Sequence, residues 1–327
     1  MYALGIDIGG TNTDMGLVRE DGTIVERRNI KTNQYTNFEK YAADLAEQIN
    51  AMLSAANVPV EQLEGIGIGA PNGNFYTGCV ENAMNLTMRG ILNFEQEMAK
   101  YFDVPVVLSN DANAAAYGEY VYGGAKGMKN FIMFTLGTGV GSGIVIDGRL
   151  LLGATGAAGE LGHAIVEPNG RLCSCGLHGC VEAYASSRGI LQTYAELRAS
   201  YDSLHRPAMG QRQTGWIDHS RALADITSKD LGDAANAGDP LALQTFARTA
   251  HYLGIAMANA VAFSSPEAIF LMGGPVLVGD PLLKPLQEEF NSHLLYCFDG
   301  SCKIHLSQLR ANDVAILGAA ALIKMKH

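Results

Sequence analysis

The sequence is short of positive charge. Its 23 lysines and arginines face 33 aspartates and glutamates, a formal net charge of −10. No dense Lys/Arg stripe interrupts this balance, which argues against nucleic acid or an anionic membrane as the main partner. Long uninterrupted apolar runs are also missing. The most apolar long helix candidate, Phe246 to Phe263, contains Arg248 and His251. It reads as a buried helix rather than a membrane span. The opening "MYALGIDIGG" carries no basic segment and reads as a first strand, so no signal peptide is expected. These absences predict a cytoplasmic protein whose six cysteines are mostly reduced. Standard phosphate motifs are absent too. There is no G-x-x-x-x-G-K-[ST], and a strand rather than a helix follows "GTGVGSG", so the dinucleotide fingerprint fails its context test.

Glycine, by contrast, is abundant. Its 38 residues exceed the average usage of about 7%. They cluster at "DIGGTN", "GIGIGAP", "LGTGVGSG" and "FLMGG", where backbone must turn tightly or approach a ligand. The length, 327 residues, suits two domains with sizeable cores.

Residues 2–32 read as three strands, the last two joined by an Asp21-Gly22 turn. Thr36 and Glu39 predict a capping box opening a helix with Phe38, Tyr41, Leu45, Ile49 and Leu53 on its apolar face. The strands "EGIGIGAP" and "VPVVLSN" follow, the second running into the helix "DANAAAYGEYVYG". The pattern then restarts. "FIMFTL" ends in glycines, "GIVIDG" returns, and Asp147-Gly148 turns into "RLLLGA". Asp239 and Pro240 should open a helix as N-cap and first residue. "EAIFLMGG" parallels "EGIGIGAP", and Asp313 should cap a last helix, "DVAILGAAALIKMK". This is an internal duplication of α/β units. We expect one domain over 1–117 plus 314–327, another over 118–313, and a ligand in the cleft between them.

Two glycine loops, each with a threonine (Thr11 and Thr138), can present consecutive N–H groups to a polyphosphate. Tight hairpins without a ligand explain them equally well. Asp7 in its glycine context suits a hard cation. Asp111 sits at a strand–helix junction, where an N-cap is the bland reading. If Ser109 or Asn110 caps instead, Asp111 falls in the first turn, where the helix dipole lowers its pKa. Three cysteines and a histidine fill "CSCGLHGC", Cys173 to Cys180. A disulfide fits poorly in a reducing compartment and a Cys-x-Cys spacing. Three thiolates plus one imidazole suit tetrahedral Zn²⁺, with His178 or His163 as the fourth ligand. Cys79, Cys297 and Cys302 read as ordinary small apolar residues.

"GIDIGGTNTDMGL" and "FTLGTGVGSGIVIDG" resemble the two phosphate loops of the actin-like ATPase superfamily. With "ELGH" and "CSCGLHGCVE", the chain resembles the ROK family of sugar kinases and repressors over nearly its whole length. The resemblance implies two actin-like (ribonuclease H-like) α/β lobes and an ATP-dependent hexose kinase. It places Gly9, Gly10, Thr11, Asn12, Gly137, Thr138 and Gly139 on ATP phosphates and Gly273 and Gly274 near the adenosine. Asp7 would hold Mg²⁺, through water. Asn110 would bond the sugar, and Asp111 would accept the proton of its primary hydroxyl. Glu160, His163 and Glu182 would face the sugar, with Asn72, Gly73 and Thr77 bordering it. The resemblance also makes His163, Cys173, Cys175 and Cys180 the ligands of a structural zinc. That zinc would fix the sugar pocket and leave nucleotide binding less affected. Glucose is the favoured substrate, with N-acetylmannosamine, mannose, fructose and allose open. A sugar-sensing regulator is the rival, but a repressor's N-terminal helix-turn-helix has no room before Leu4. A homodimer is implied by family analogy.

Overall fold

The computed structural model describes residues 1–204, 216–218 and 221–325. Strands β1 (Tyr2–Ile8), β2 (Asn12–Arg19) and β3 (Ile24–Lys31) precede helix α1 (Phe38–Ala55). Strand β4 (Leu63–Ala70) follows, then short strands β5 (Gly73–Asn74), β6 (Cys79–Glu81) and β7 (Ile91–Asn93), and helix α2 (Phe94–Met98). Strand β8 (Val106–Asn110) leads into α3 (Asp111–Tyr122). Next come β9 (Phe131–Leu136), β10 (Val140–Ile146) and β11 (Arg149–Leu150), then α4 (Glu182–Ala185), α5 (Ser187–Leu204), α6 (Ser228–Asn236) and α7 (Pro240–Ser264). The chain ends with β12 (Ala268–Met272), α8 (Asp280–His293), β13 (Lys303–Leu306) and α9 (Val314–Ala321).

Two compact units form, one from residues 1–133, 143–159 and 307–327, the other from 134–142 and 160–306. In the first, the sheet order is β3-β2-β1-β4-β8. Strands β1, β2 and β3 pair antiparallel, whereas β4 lies parallel to both β1 and β8. Leu4, Ile6, Ile8, Met15 and Leu17 are buried in one core with Tyr41, Leu45, Ile49 and Met52 of α1. The apolar face predicted for α1 therefore turns inward, with Phe38 only partly buried at its start. Helix α9 packs against β1 and β4 so closely that the strands need glycine there. A Cβ on Gly67 would lie 1.8 Å from the Ala319 carbonyl oxygen.

A second sheet has the order β11-β10-β9-β12-β13. Its strands take the same places as those of the first, so the duplication read from the sequence is present, with β12 in the position of β4. Strand β13, parallel to β12, and the three-stranded sheet β5-β6-β7 were not anticipated. Helix α7 opens as predicted: the Asp239 carboxylate accepts from Leu241 N and Ala242 N, with Pro240 in the first turn.

Three local readings are corrected. Helix α1 is capped by Asn37, whose Oδ1 accepts from Lys40 N at 2.7 Å; the helix starts one residue later than a Thr36 capping box requires. Asp313 stands at the N-cap of α9, where its backbone carbonyl accepts from Leu317 N, but its side chain makes no cap bond because the carboxylate pairs with Arg27. The strand after Asp147-Gly148 is only two residues long. Among the described residues, no helix is long and apolar enough to cross a membrane.

Candidate active site

In the first unit, β8 passes into α3 without a loop. Asn110 is the N-cap: its Oδ1 accepts from Ala112 N at 2.9 Å and from Asn113 N at 3.4 Å. Asp111 is thereby the first helical residue, and its own Oδ1 accepts from Ala112 N at 2.7 Å. On β1, Asp7 is in register with Gly69 of β4 and Asp14 of β2. A Cβ at Gly69 would lie 3.8 Å from Asp7 Oδ1 and 3.7 Å from Asp111 Cα, so the two acids flank this bare position.

Desolvation governs both carboxyls, although Asp7 is only half-buried and Asp111 is open to solvent. It pushes Asp7 up to about 7, with the Asp111 and Asp14 charges adding to it. It also raises Asp111, against the pull of the Ala112 amide. The helix terminus was expected to depress Asp111; desolvation outweighs it. The charges acting on Asp7 are all carboxylates. A half-buried acid with acidic neighbours is a donor set that fits a hard divalent cation.

The first glycine loop rests on this sheet. Gly9 N donates to Asn12 O at 2.9 Å, Thr32 N donates to Thr11 O at 2.9 Å, and Lys31 Nζ donates to Asn12 Oδ1 at 2.7 Å. Beneath it, the Thr13 hydroxyl bonds Thr32 Oγ1 at 2.7 Å and Tyr41 OH at 2.5 Å, all buried. Sequence reasoning missed this trio, since no local pattern joins residues so far apart. The Asn72–Thr77 stretch forms a hairpin edge. Asn72 Nδ2 donates to Glu81 O, Thr77 Oγ1 donates to Glu81 Oε1 at 2.8 Å, and Gly73 lies against the Ser109 carbonyl.

In the second unit, the loop Gly137–Gly139 joins β9 to β10. Gly137 N donates to Gly139 O at 2.9 Å, and Ser187 N donates to Gly137 O at 2.8 Å. Glu182, on α4, is buried and holds two segments at once. Its Oε2 accepts from Val140 N at 3.0 Å and its Oε1 from Ser174 Oγ at 2.6 Å. A Cβ at Gly139 would lie 2.5 Å from Glu182 Oε2, whereas Gly137 and Gly274 have nothing within 4 Å. Gly273 follows β12 with φ 113°, and any Cβ there would strike the Leu136 carbonyl. Glu160 is exposed and precedes the short turn Leu161–His163, accepting from His163 N at 3.1 Å through its carbonyl.

Ligand atoms of His163, Cys173, Cys175 and Cys180 all lie within 4.8 Å of one another. Cys173 Sγ is 3.6 Å from His163 Nδ1, and Cys175 Sγ is 3.7 Å from Cys180 Sγ. Tetrahedral Zn–S bonds of about 2.3 Å put sulfurs roughly 3.8 Å apart, so the donors fit that ion. Burial, then the two neighbouring thiols, push Cys180 up to about 12. Cys173 is raised by burial as well, so these two need a cation's charge beside them to stand as thiolates. His178 turns away, its Nδ1 2.9 Å from the Gly170 carbonyl. Of the remaining cysteines, Cys79 and Cys302 are buried as expected, but Cys297 is exposed.

The family model described as "ROK family" matches residues 3–326. The chain belongs to the ROK family. It is 34% identical over 328 residues to a glucokinase of Halalkalibacterium halodurans, covering 100% of this chain and 96% of the relative. A ROK hexokinase from Thermus thermophilus superposes with a TM-score of 0.78 at 29% identity, over 98% of this chain and 97% of that one. A ROK family glucokinase from Streptomyces griseus, solved with glucose and AMPPNP, gives 0.74 at 31% identity, over 98% and 99%. The fold is thus the actin-like α/β fold of ROK sugar kinases.

Proposed function

We propose that this protein is an ATP-dependent hexose kinase that transfers the γ-phosphoryl group to the primary hydroxyl of glucose. The observation that carries the reading is the pair of acids beside Gly69. Asp111, raised by desolvation, is the base that takes the sugar hydroxyl proton. Asp7 is the carboxylate that holds Mg²⁺, which would neutralise charge on the phosphates when bound. Asn110 orients the sugar while capping α3. Gly9 to Asn12 and Gly137 to Gly139 offer backbone N–H groups to the phosphates, and Gly273 with Gly274 lies at the adenosine. Glu160, His163 and Glu182 take the remaining sugar hydroxyls, with Asn72, Gly73 and Thr77 at the sugar's border.

Zinc at His163, Cys173, Cys175 and Cys180 is structural in this reading: four protein donors leave no position for a reacting water. The protein is read as a cytoplasmic homodimer, on the family resemblance. Resemblance to glucokinases, together with the acid pair beside Gly69, favours catalysis over sugar sensing. A coupled phosphorylation assay with ATP across glucose, mannose, fructose, allose and N-acetylmannosamine tests it. Glucose should give the highest kcat/KM. A preference for another sugar would correct the substrate, and no turnover on any of them would sink the kinase reading.

A further inference from the structure

A second group of metal-binding side chains lies where α7 packs on α8, remote in sequence from the cysteine loop. One donor atom each of His251, Glu289 and His293 falls within 4.8 Å of the other two. His251 Nδ1 is 2.9 Å from Glu289 Oε2, and His293 Nδ1 is 3.8 Å from the same oxygen. Glu289 and His293 are one helical turn apart, on one face of α8. His251 comes to them from α7.

The two helices are held close at this point. A Cβ on Gly254, one turn beyond His251, would lie 2.9 Å from Glu289 Cβ and 3.0 Å from Phe290 N. Leu253, Met257, Leu286 and Phe290 are buried at this contact. The donors are therefore set by packed helices rather than by loops, which lowers the ordering cost of binding. His293 Nδ1 is 2.7 Å from the Glu289 carbonyl oxygen. That contact orients the His293 ring beside Glu289. Side-chain exposures of 43%, 33% and 34% for His251, Glu289 and His293 let an ion and its waters enter.

We propose that His251, Glu289 and His293 form a second metal site, for a borderline divalent transition ion such as Zn²⁺, Ni²⁺ or Cu²⁺. Imidazoles select these ions over Mg²⁺ and Ca²⁺, which want an all-oxygen shell. Two nitrogens and one carboxylate leave the other positions to water. The bound ion ties α7 to α8 and stabilises the fold by mass action.

The test is Ni²⁺ stoichiometry by elemental analysis and affinity by calorimetry. Wild type should bind one equivalent per chain more than the His251→Gln/His293→Gln variant, whatever the cysteine site takes up. Glu289→Gln keeps the shape but loses the anionic donor, and should weaken this extra equivalent by about tenfold or more. The thermal midpoint of wild type should rise with Ni²⁺ more than that of the double variant, while the two match in chelator. Equal nickel content in wild type and the double variant would overturn the site. So would an affinity unchanged by Glu289→Gln.

Discussion

Asp111 and Asp7 do different work, and single substitutions separate them. Asn110 carries the helix cap, so Asp111→Asn leaves the start of α3 intact and keeps an oxygen for Ala112 N. It removes only the group that can take a proton. We expect glucose binding to persist and kcat to fall by a factor on the order of 10² or more; turnover like that of wild type would remove Asp111 as the base. The acid pair also sets a pH dependence. Both folded-state values lie above the ordinary carboxyl range of about 4. The native state thus retains protons that the unfolded chain has released, and stability falls as pH rises from about 4 to about 7. In magnesium-free denaturant titrations, one such proton lowers the folding constant by up to about tenfold per pH unit. Asp7→Asn should flatten that decline, and identical slopes in the two proteins would show that Asp7 is not held up. The glycine loops need a careful choice of probe. Gly10 faces the Asn85 carbonyl and Gly139 faces Glu182, so side chains there disturb the protein itself. Gly137 has open space around it. Gly137→Ala should therefore leave the melting temperature unchanged and weaken ATP binding severalfold by obstructing phosphate approach; unaltered nucleotide affinity would take Gly137 off the phosphates.

The cysteine loop and the second glycine loop meet through one side chain. Glu182 bonds Ser174, between two of the cysteines, and also the Val140 amide that follows Gly139. The family resemblance implied that loss of the zinc loop would affect nucleotide binding less than sugar binding; the shared carboxylate argues that both functions suffer. Cys175→Ser should reduce bound zinc, weaken glucose binding and raise the KM for ATP by about threefold or more, an effect on the scale of one lost hydrogen bond. His178→Ala should keep the zinc. Zinc analysis and kinetics on both variants decide this, and an unchanged ATP KM in zinc-depleted Cys175→Ser would break the link. The contrast shows what was legible. Glycine turns, alternating strands, Asp239-Pro240 and the cysteine spacing are local signals, and each lies where its chemistry said. Glu182 as a bracket depends on a contact across 42 residues, and β13 is a four-residue strand, too short for its alternation to stand out. The raised pKa of Asp111 was equally hidden, because desolvation by distant segments is a tertiary property that no neighbour in the chain reports.

At the scale of the molecule, the chain passes between its two units after residues 133, 142, 159 and 306. The last passage returns α9 to the first unit, and that return is integral to its core. Val314, Ile316, Leu317 and Leu322 are at most 6% exposed. Large apolar side chains stabilise by about 1.5–3 kcal/mol each when buried, so the four together approach the whole stability of a domain, about 5–15 kcal/mol. The polar accounting points the same way. Glu119 of α3 is fully buried, and its carboxylate accepts from Gly124 N at 2.7 Å, Ser307 Oγ at 2.6 Å and Gln308 N at 3.0 Å. Two of those three donors belong to the returning segment, and without them a buried acid is left partly unsatisfied, at a cost of about 1–3 kcal/mol per missing bond. Gly5 and Gly67 would meanwhile open their notches to water. A chain ending at Leu306 should therefore fail to fold its first unit, although it keeps every residue assigned to chemistry. Hydrogen exchange followed by mass spectrometry reads this directly: amides of β1, β2 and β4, slow in the full chain, should exchange as fast as unstructured peptide in the truncated one. Protection surviving in those strands would mean that α9 covers a core able to stand alone, and that the final passage serves only to join the two units.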